Sequence, residues 1–427
     1  MKVAIVTMFT GLATTYSLVN VVAEQLAMLL KAGIDVKLIV SESCRDSEKF
    51  GVFSDERIIW EKIPYMLNGS QVILYDYALP TQSLHSTFDE EADFYAGIFA
   101  EKLADVDVCI LHDILYQGWH YLYNIAIRRA QKSLGNVRFI AFTHSFPVNR
   151  PLAVPEEMNG RYTPMPNTLF VYPTQAGIPA LAKQYAVPEG LCRVVYNSIP
   201  LTGSLSTEVQ KLHDEVDLIS PDILVVYPGR LTTGKKFDKV AALAGSLQTV
   251  AEKTVKVVFC DFPCADTPAE LYKAAIKAVG EQYGLSPGNL IFTSDCGYPD
   301  GFPRQGVLDL FVLSTLFICP SFSEAFPLTA LEAASRGNFL VLNQDVPALE
   351  EIGKALNAYF MQWDARNFGY NTTQTYAPSE KAYYQKHAMD IVRLMREDRA
   401  ILAKTMVRSR FSAEWIWKNQ LEPLFFR

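Results

Sequence analysis

Almost from the first residue, short strand-like apolar runs alternate with stretches of helical periodicity, and that alternation restricts the chain to parallel α/β sheets. Residues 3–6 read as a strand, followed by a loop that contains Gly11. Residues 19–31 then place Val22, Leu26, Leu29 and Leu30 on one helical face, Gly33 ends that helix, and residues 36–40 form the next strand. Further buried strands are predicted at 108–111, 139–143, 169–172 and 193–196. Residues 199–219 are more polar and carry no clear strand, so the domain junction is placed there. A second series follows: strand 223–227, helix 238–253, strand 255–260, helix 269–283, strand 290–293, helix 305–314 and strand 316–319. A helix over 327–336 leads to strand Phe339–Asn343, and the tail from Ser379 reads as helical. It ends in Phe411, Trp415, Trp417, Phe425 and Phe426, which need an apolar surface to cover.

At 427 residues the chain can bury two full cores. Two similar-sized Rossmann-like domains with a cleft between them is the economical architecture, divided as 1–200 with a C-terminal helix 408–427, and 201–407. A net charge of −7 does not favour nonspecific nucleic-acid binding. The seven cysteines contain no Cys-x-x-Cys pair, and Cys109 and Cys319 sit in apolar runs as small hydrophobes. Cys260 and Cys264 have a metal-like spacing with no second pair to complete a site. A reducing, cytoplasmic compartment fits this usage. Met1-Lys2 runs directly into a strand rather than a leader, and the longest apolar runs fall short of the ~20 residues that span a bilayer.

The segment from Ser321 to Gly337 carries two carboxylates, Glu324 and Glu332, eight residues apart with a helix start between them. Pro327 suits the first helical position because its missing N–H would have no intrahelical partner, and Gly337 suits the C-terminal cap. The first free N–H groups, near Leu328 and Thr329, would then form an anion site. Phosphate-binding amides between two hydroxyl-accepting carboxylates suit a sugar joined to a nucleoside diphosphate. The plain alternative is a surface helix with two solvated glutamates. The strand Leu316–Cys319 immediately before it favours the ligand site, since open α/β sheets bind ligands where a parallel strand delivers its chain into a helix.

Residues 227–236 join a strand to a helix and carry Arg230, Lys235 and Lys236. Gly229 to Lys235 spells Gly-x4-Gly-Lys, and Val257-Val258-Phe259-Cys260-Asp261 imitates the acidic strand of a P-loop NTPase. A P-loop needs Ser or Thr after its lysine to ligate the metal, and Lys236 stands there. Arg230 reads better as a fork that grips diphosphate, with Lys235 as a point charge beside it. A solvated cationic turn is the structural alternative.

His144 follows strand 139–143 and would emerge at the carboxyl end of a sheet; His112 and Asp113 hold a similar place after strand 108–111. A lone histidine there is often only a satisfied hydrogen-bonding group. Gly11 allows close backbone approach to a ligand, and the absence of Gly-x-Gly-x-x-Gly argues against a standard NAD site. Residues 118–133 combine Trp119, Tyr121 and Tyr123 with Arg128, Arg129 and Lys132. They read either as a surface for peripheral membrane contact or as a crossover helix with a wet basic face.

Together these residues resemble glycosyltransferase family four, the retaining GT-B sugar transferases with two Rossmann-like domains facing across a cleft. Glu324 to Glu332 is similar to the family's Glu-x7-Glu motif, with Phe326-Pro327-Leu328 and Glu332-Ala333 in place and Pro320-Ser321 before it. Gly229-Arg230-Leu231 with Lys235 resembles the Gly-Arg-Leu…Lys signature, and residues 346–352 resemble the segment that follows the motif. In the first half, Pro188-Glu189 and Val194-Val195-Tyr196-Asn197 resemble the domain crossover, and His144 matches a recurrent active-site histidine. Phe411-Ser412 and Trp415 resemble the C-terminal helix that crosses back to the first domain.

The resemblance implies roles. Arg230 and Lys235 would neutralise the diphosphate leaving group, so that neither metal nor cofactor is required beyond the nucleotide-sugar donor. Glu332 would accept hydrogen bonds from the ribose and Glu324 from sugar hydroxyls, with backbone N–H groups at Phe326, Leu328 and Thr329 meeting phosphate and sugar. Gly11 and His144 would face them from an acceptor domain. Ala325, Ser198 and Lys236 replace glycines usual in the family, and Phe339 stands where proline is common. A non-catalytic nucleotide-sugar-binding relative is the second reading. The acceptor is open among glycan, lipid-linked glycan, small molecule, protein and modified nucleic acid, with residues 145–167, including Arg150 and Arg161, expected to shape that side.

Overall fold

A computed structural model of the chain describes residues 1–67, 70–71, 84–116, 120–147, 160, 162–265, 267–363 and 378–426. Gly118, Trp119, Arg150 and Arg161 lie outside the described residues. The chain divides into two compact units, Met1–Ile199 with Ala413–Arg427, and Pro200–Ser412.

In the first unit the strands are β1 (Lys2–Val6), β2 (Asp35–Ser41), β3 (Ile58–Ile63), a small hairpin of β4 (Met66–Leu67) and β5 (Ser70–Gln71), β6 (Val108–His112), β7 (Arg138–Phe142), β8 (Thr168–Tyr172) and β9 (Cys192–Val194). Apart from the hairpin they form one parallel sheet in the order β3-β2-β1-β6-β7-β8-β9. Alternate residues feed opposite faces. Val3 and Ile5 join α1 (Ser17–Lys31) on one side, while Ala4 and Val6 join α2 (Phe88–Leu103) and α3 (Tyr121–Gln131) on the other. A run such as Val3 to Val6 is apolar throughout because both of its faces are covered. The tail supplies Ile416, Leu421, Leu424 and Phe425 to the α1 face, where Trp415 also stacks on Tyr196.

The second unit repeats the plan with β10 (Ile223–Arg230), β11 (Val255–Phe262), β12 (Leu290–Phe292), β13 (Leu316–Cys319), β14 (Phe339–Asn343) and β15 (Tyr359–Met361). All are parallel, in the order β12-β11-β10-β13-β14-β15. In both sheets the chain starts in the middle, builds outward on one side, and returns to build on the other. The strand order therefore reverses between β1 and β6, and again between β10 and β13. At such a switch point the loops leaving adjacent strands diverge and open a crevice.

Two details depart from the sequence reading. Residues 199–219 contain a helix, α5 (Thr207–Val216), hidden because only Val209, Leu212 and His213 are buried on it. β10 continues past the predicted end through Pro228 to Arg230. β13 pairs with it only at Val225, so the proline's missing N–H breaks no ladder on that side. Of the two readings of residues 118–133, the described part fits the crossover helix, α3. Tyr121 and Tyr123 are buried in the core, and Arg129 is paired with Asp89 and Asp93.

Candidate functional site

The loops leaving β10 and β13 are the pair that flanks the switch point of the second unit. Tyr227, Pro228, Gly229, Arg230 and Lys235 from the first, and Cys319, Glu324, Phe326, Pro327, Leu328 and Thr329 from the second, line an open cavity of about 430 Å³ together with Phe262. The two loops are tied to each other. Lys235 Nζ donates to Glu324 Oε1 at 2.5 Å, and the Phe322 N–H donates to the Gly234 carbonyl at 3.3 Å. A Cβ at Gly234 would fall 2.3 Å from the Phe322 ring, so with any other residue that ring would have to move. Below them Tyr227 is buried and its hydroxyl donates to the Lys235 carbonyl at 2.8 Å, fixing the lysine's backbone. Burial pushes the Tyr227 phenol well above its usual range and the Cys319 thiol up to about 12, so both stay neutral.

Among the charged groups on the cavity wall, Arg230 and Lys235 outweigh Glu324, leaving one net positive charge. Lys235 is already matched by Glu324. Among the described residues no carboxylate pairs with Arg230, which is the cation left for an anion.

The short helix α9 (Leu328–Ala334) departs from the sequence expectation at its start and meets it at its end. Pro327 is the residue before the helix, not its first residue. Its φ of −82° and ψ of 76° make an inverse γ-turn in which the Leu328 N–H donates to the Phe326 carbonyl at 3.0 Å. The Leu328 amide, expected to be free, is therefore occupied. At the other end Gly337 has φ +70°. Its N–H donates to Ala334 and that of Asn338 to Ala333, a Schellman closure in which glycine takes the expected capping role. Glu332 is not on the cavity wall. Its carboxylate is held by Arg304 at 2.5 Å, from the start of α8 (Arg304–Leu313).

The P-loop imitation does not extend to a metal site. Both oxygens of the buried Asp261 accept from Ser294, and Lys273 lies 4.0 Å away. Among the described residues no group of three His, Cys, Asp or Glu side chains could hold a metal ion, and no helix is long and apolar enough to cross a membrane.

In the first unit, the loops at the switch point carry Gly11 after β1 and His112 and Asp113 at the end of β6, with His144 just beyond β7. The space beside Gly11 is filled from within: a Cβ there would lie 2.9 Å from a Glu48 oxygen, which accepts from the Leu12 N–H at 3.3 Å. His112 Nδ1 lies 2.8 Å from His144 Nε2, and the Asp113 carboxylate accepts from the His144 backbone N–H at 2.8 Å. Burial brings the His144 imidazole down to about 4 and that of His112 well below its ordinary range, with His144 a second cause for the latter. Sequence reasoning missed Gln25, Glu48, Arg304 and Tyr227. Each acts across a long sequence separation, or sits in a strand whose composition reads as core.

Fold and cavity together define a protein of two Rossmann-like units, one of which presents a cationic crevice at the carboxyl ends of its strands. No family model matches the chain. A curated relative is the α-galactosylglucosyldiacylglycerol synthase of Streptococcus pneumoniae (strain ATCC BAA-255 / R6), 25% identical over 241 residues, which cover 54% of this chain and 58% of the relative. The chain thus matches little more than half the length of that relative, whose name agrees with the resemblance carried by the motifs. Solved structures that resemble the chain include the UDP-forming α,α-trehalose-phosphate synthase of Burkholderia xenovorans in complex with glucose-6-phosphate. It is 15% identical, covering 99% of this chain and 100% of that one, with a TM-score of 0.38. Anabaena HepE in complex with UDP and glucose is 12% identical over 100% of both chains, with a TM-score of 0.37.

Proposed function

We propose that the protein is a retaining, metal-independent glycosyltransferase that moves a sugar from a nucleoside-diphosphate sugar to an acceptor hydroxyl. The observation that carries this reading is Arg230, which has no carboxylate partner among the described residues, beside the Lys235–Glu324 pair in a crevice at a strand switch point. A diphosphate entering there meets Arg230 as a bidentate donor and draws Lys235 from Glu324. That exchange frees the Glu324 carboxylate to accept hydrogen bonds from sugar hydroxyls. As the bond to the leaving diphosphate breaks, negative charge grows on its oxygens, and cations held in place before the reaction stabilise it without a metal ion. Glu332 meets the ribose once Arg304 releases it. The name of the Streptococcus relative makes a glycosylated diacylglycerol the first acceptor to try.

The test is release of nucleoside diphosphate and formation of glycoside from a panel of UDP-, GDP-, ADP- and CDP-sugars. Arg230→Ala and Glu324→Ala are each expected to lower kcat/KM by about 100-fold or more, with retained anomeric configuration by NMR and no loss in EDTA. Wild-type rates in both variants would refute the assignment, an inverted product would refute retention, and binding without release would leave a nucleotide-sugar-binding protein.

A further inference from the structure

Gln25, His112 and His144 form one hydrogen-bonded line at the carboxyl ends of β6 and β7. Gln25 projects from α1 and is 5% exposed, and His112 is fully buried. Two such polar side chains inside an apolar layer are costly unless they satisfy each other. The Gln25 side-chain oxygen lies 3.1 Å from His112 Nε2, and His112 Nδ1 lies 2.8 Å from His144 Nε2. An amide oxygen only accepts, so His112 carries its proton on Nε2 and its Nδ1 is a bare lone pair. That lone pair requires a donor, which places the His144 proton on Nε2. The neutral His144 ring then has Nδ1 as its unprotonated nitrogen.

The surroundings hold this arrangement. Phe142 lies against both imidazoles, with centroids 5.0 Å from His112 and 5.8 Å from His144. Asp113, at φ +59°, takes up a strained backbone conformation from which its carboxylate fixes the His144 N–H.

We propose that Gln25 and His112 are positioning residues that hold His144 as the Nε2–H tautomer, so that its Nδ1 lone pair is the group offered to a substrate hydroxyl. What that hydroxyl belongs to rests on the transferase reading; the tautomer does not. His144 acts here as a hydrogen-bond acceptor, because burial keeps the ring from taking a second proton near neutral pH.

Long-range 1H–15N correlation spectra of the full chain labelled on its six histidines read the tautomers directly. Both His112 and His144 are expected as Nε2–H forms at pH 7. Gln25→Met, close in volume but without the acceptor, should shift His144 toward a tautomer mixture and lower kcat roughly tenfold with donor KM unchanged. A wild-type His144 protonated on Nδ1, a tautomer indifferent to Gln25→Met, or a changed tautomer with unchanged kcat would each overturn the proposal. If no donor and acceptor pair supports transfer, the function falls and with it the hydroxyl, while the spectra still decide the tautomer.

Discussion

Lys236 sits at φ +54° and ψ +47°, the left-handed region, immediately before α6 (Phe237–Ala251). Of the three positions where glycine would be usual for the resembled family, this is the only one of its kind. Ala325 and Ser198 hold ordinary backbone angles and need no glycine. The replacement at 236 was legible in the sequence, but its cost was not, because φ is a property of the turn that the neighbouring loops impose. A lysine Cβ in this region costs about 1 kcal/mol relative to glycine. Lys236→Gly is therefore expected to raise stability by about that much, seen as a higher urea midpoint with an unchanged slope. The same limit applies to the site. Glu324, Arg230 and Lys235 were recognisable by spacing, whereas Arg304 and Gln25 find their partners 28 and 87 positions away, where spacing carries no signal.

Among the elements, the central strands were visible because burial on both faces makes their apolar runs continuous, whereas two of the four edge strands, β3 and β15, were not. β3 reads Ile-Ile-Trp-Glu-Lys-Ile with only its end residues buried, and β15 has three residues. Edge strands are short and half polar, so their signal approaches that of a loop. The ends of β6 and β7 carry a consequence for acid stability. His112 is buried and His144 and the nearby-in-sequence His120 are half-buried, and desolvation depresses the pKa of all three, the last two to about 4. The unfolded chain takes up protons near pH 6.5 that the folded chain refuses. The stability these groups retain above pH 6.5 is then lost progressively as pH falls toward about 4. For His144 alone the full loss is on the order of 3 kcal/mol. Urea melts at pH 7 and pH 4.5 are expected to show a smaller acid-induced drop for His144→Gln than for wild type. An equal drop would mean that the imidazole is not buried as described.

For the molecule as a whole, the two units differ in how their chain is assembled. Pro200–Ser412 is one continuous segment with its own core, whereas the first unit closes only with the tail from Ala413. Ile416, Leu421, Leu424 and Phe425 are each no more than 6% exposed and share a core with Val3, Ile5, Leu18 and Val22. The Gln420 side chain accepts from the Tyr196 N–H at 2.8 Å, and Arg138 donates to the Leu424 carbonyl at 3.1 Å. Burying four such side chains stabilises by on the order of 6–10 kcal/mol, an upper estimate. That is comparable to the whole stability of a typical domain, roughly 5–15 kcal/mol. The aromatic tail was legible as something that must cover an apolar face; which face was not, because that depends on sheet topology rather than local pattern. Deleting residues 413–427 is expected to abolish or strongly lower the calorimetric transition of the first unit and leave that of the second in place. Conversely, an isolated fragment 200–412 should unfold cooperatively on its own and still be stabilised by the nucleoside diphosphate of the donor. If the tail deletion lowered both transitions equally, or the fragment failed to fold, the two cores would not be the independent units that the contacts define.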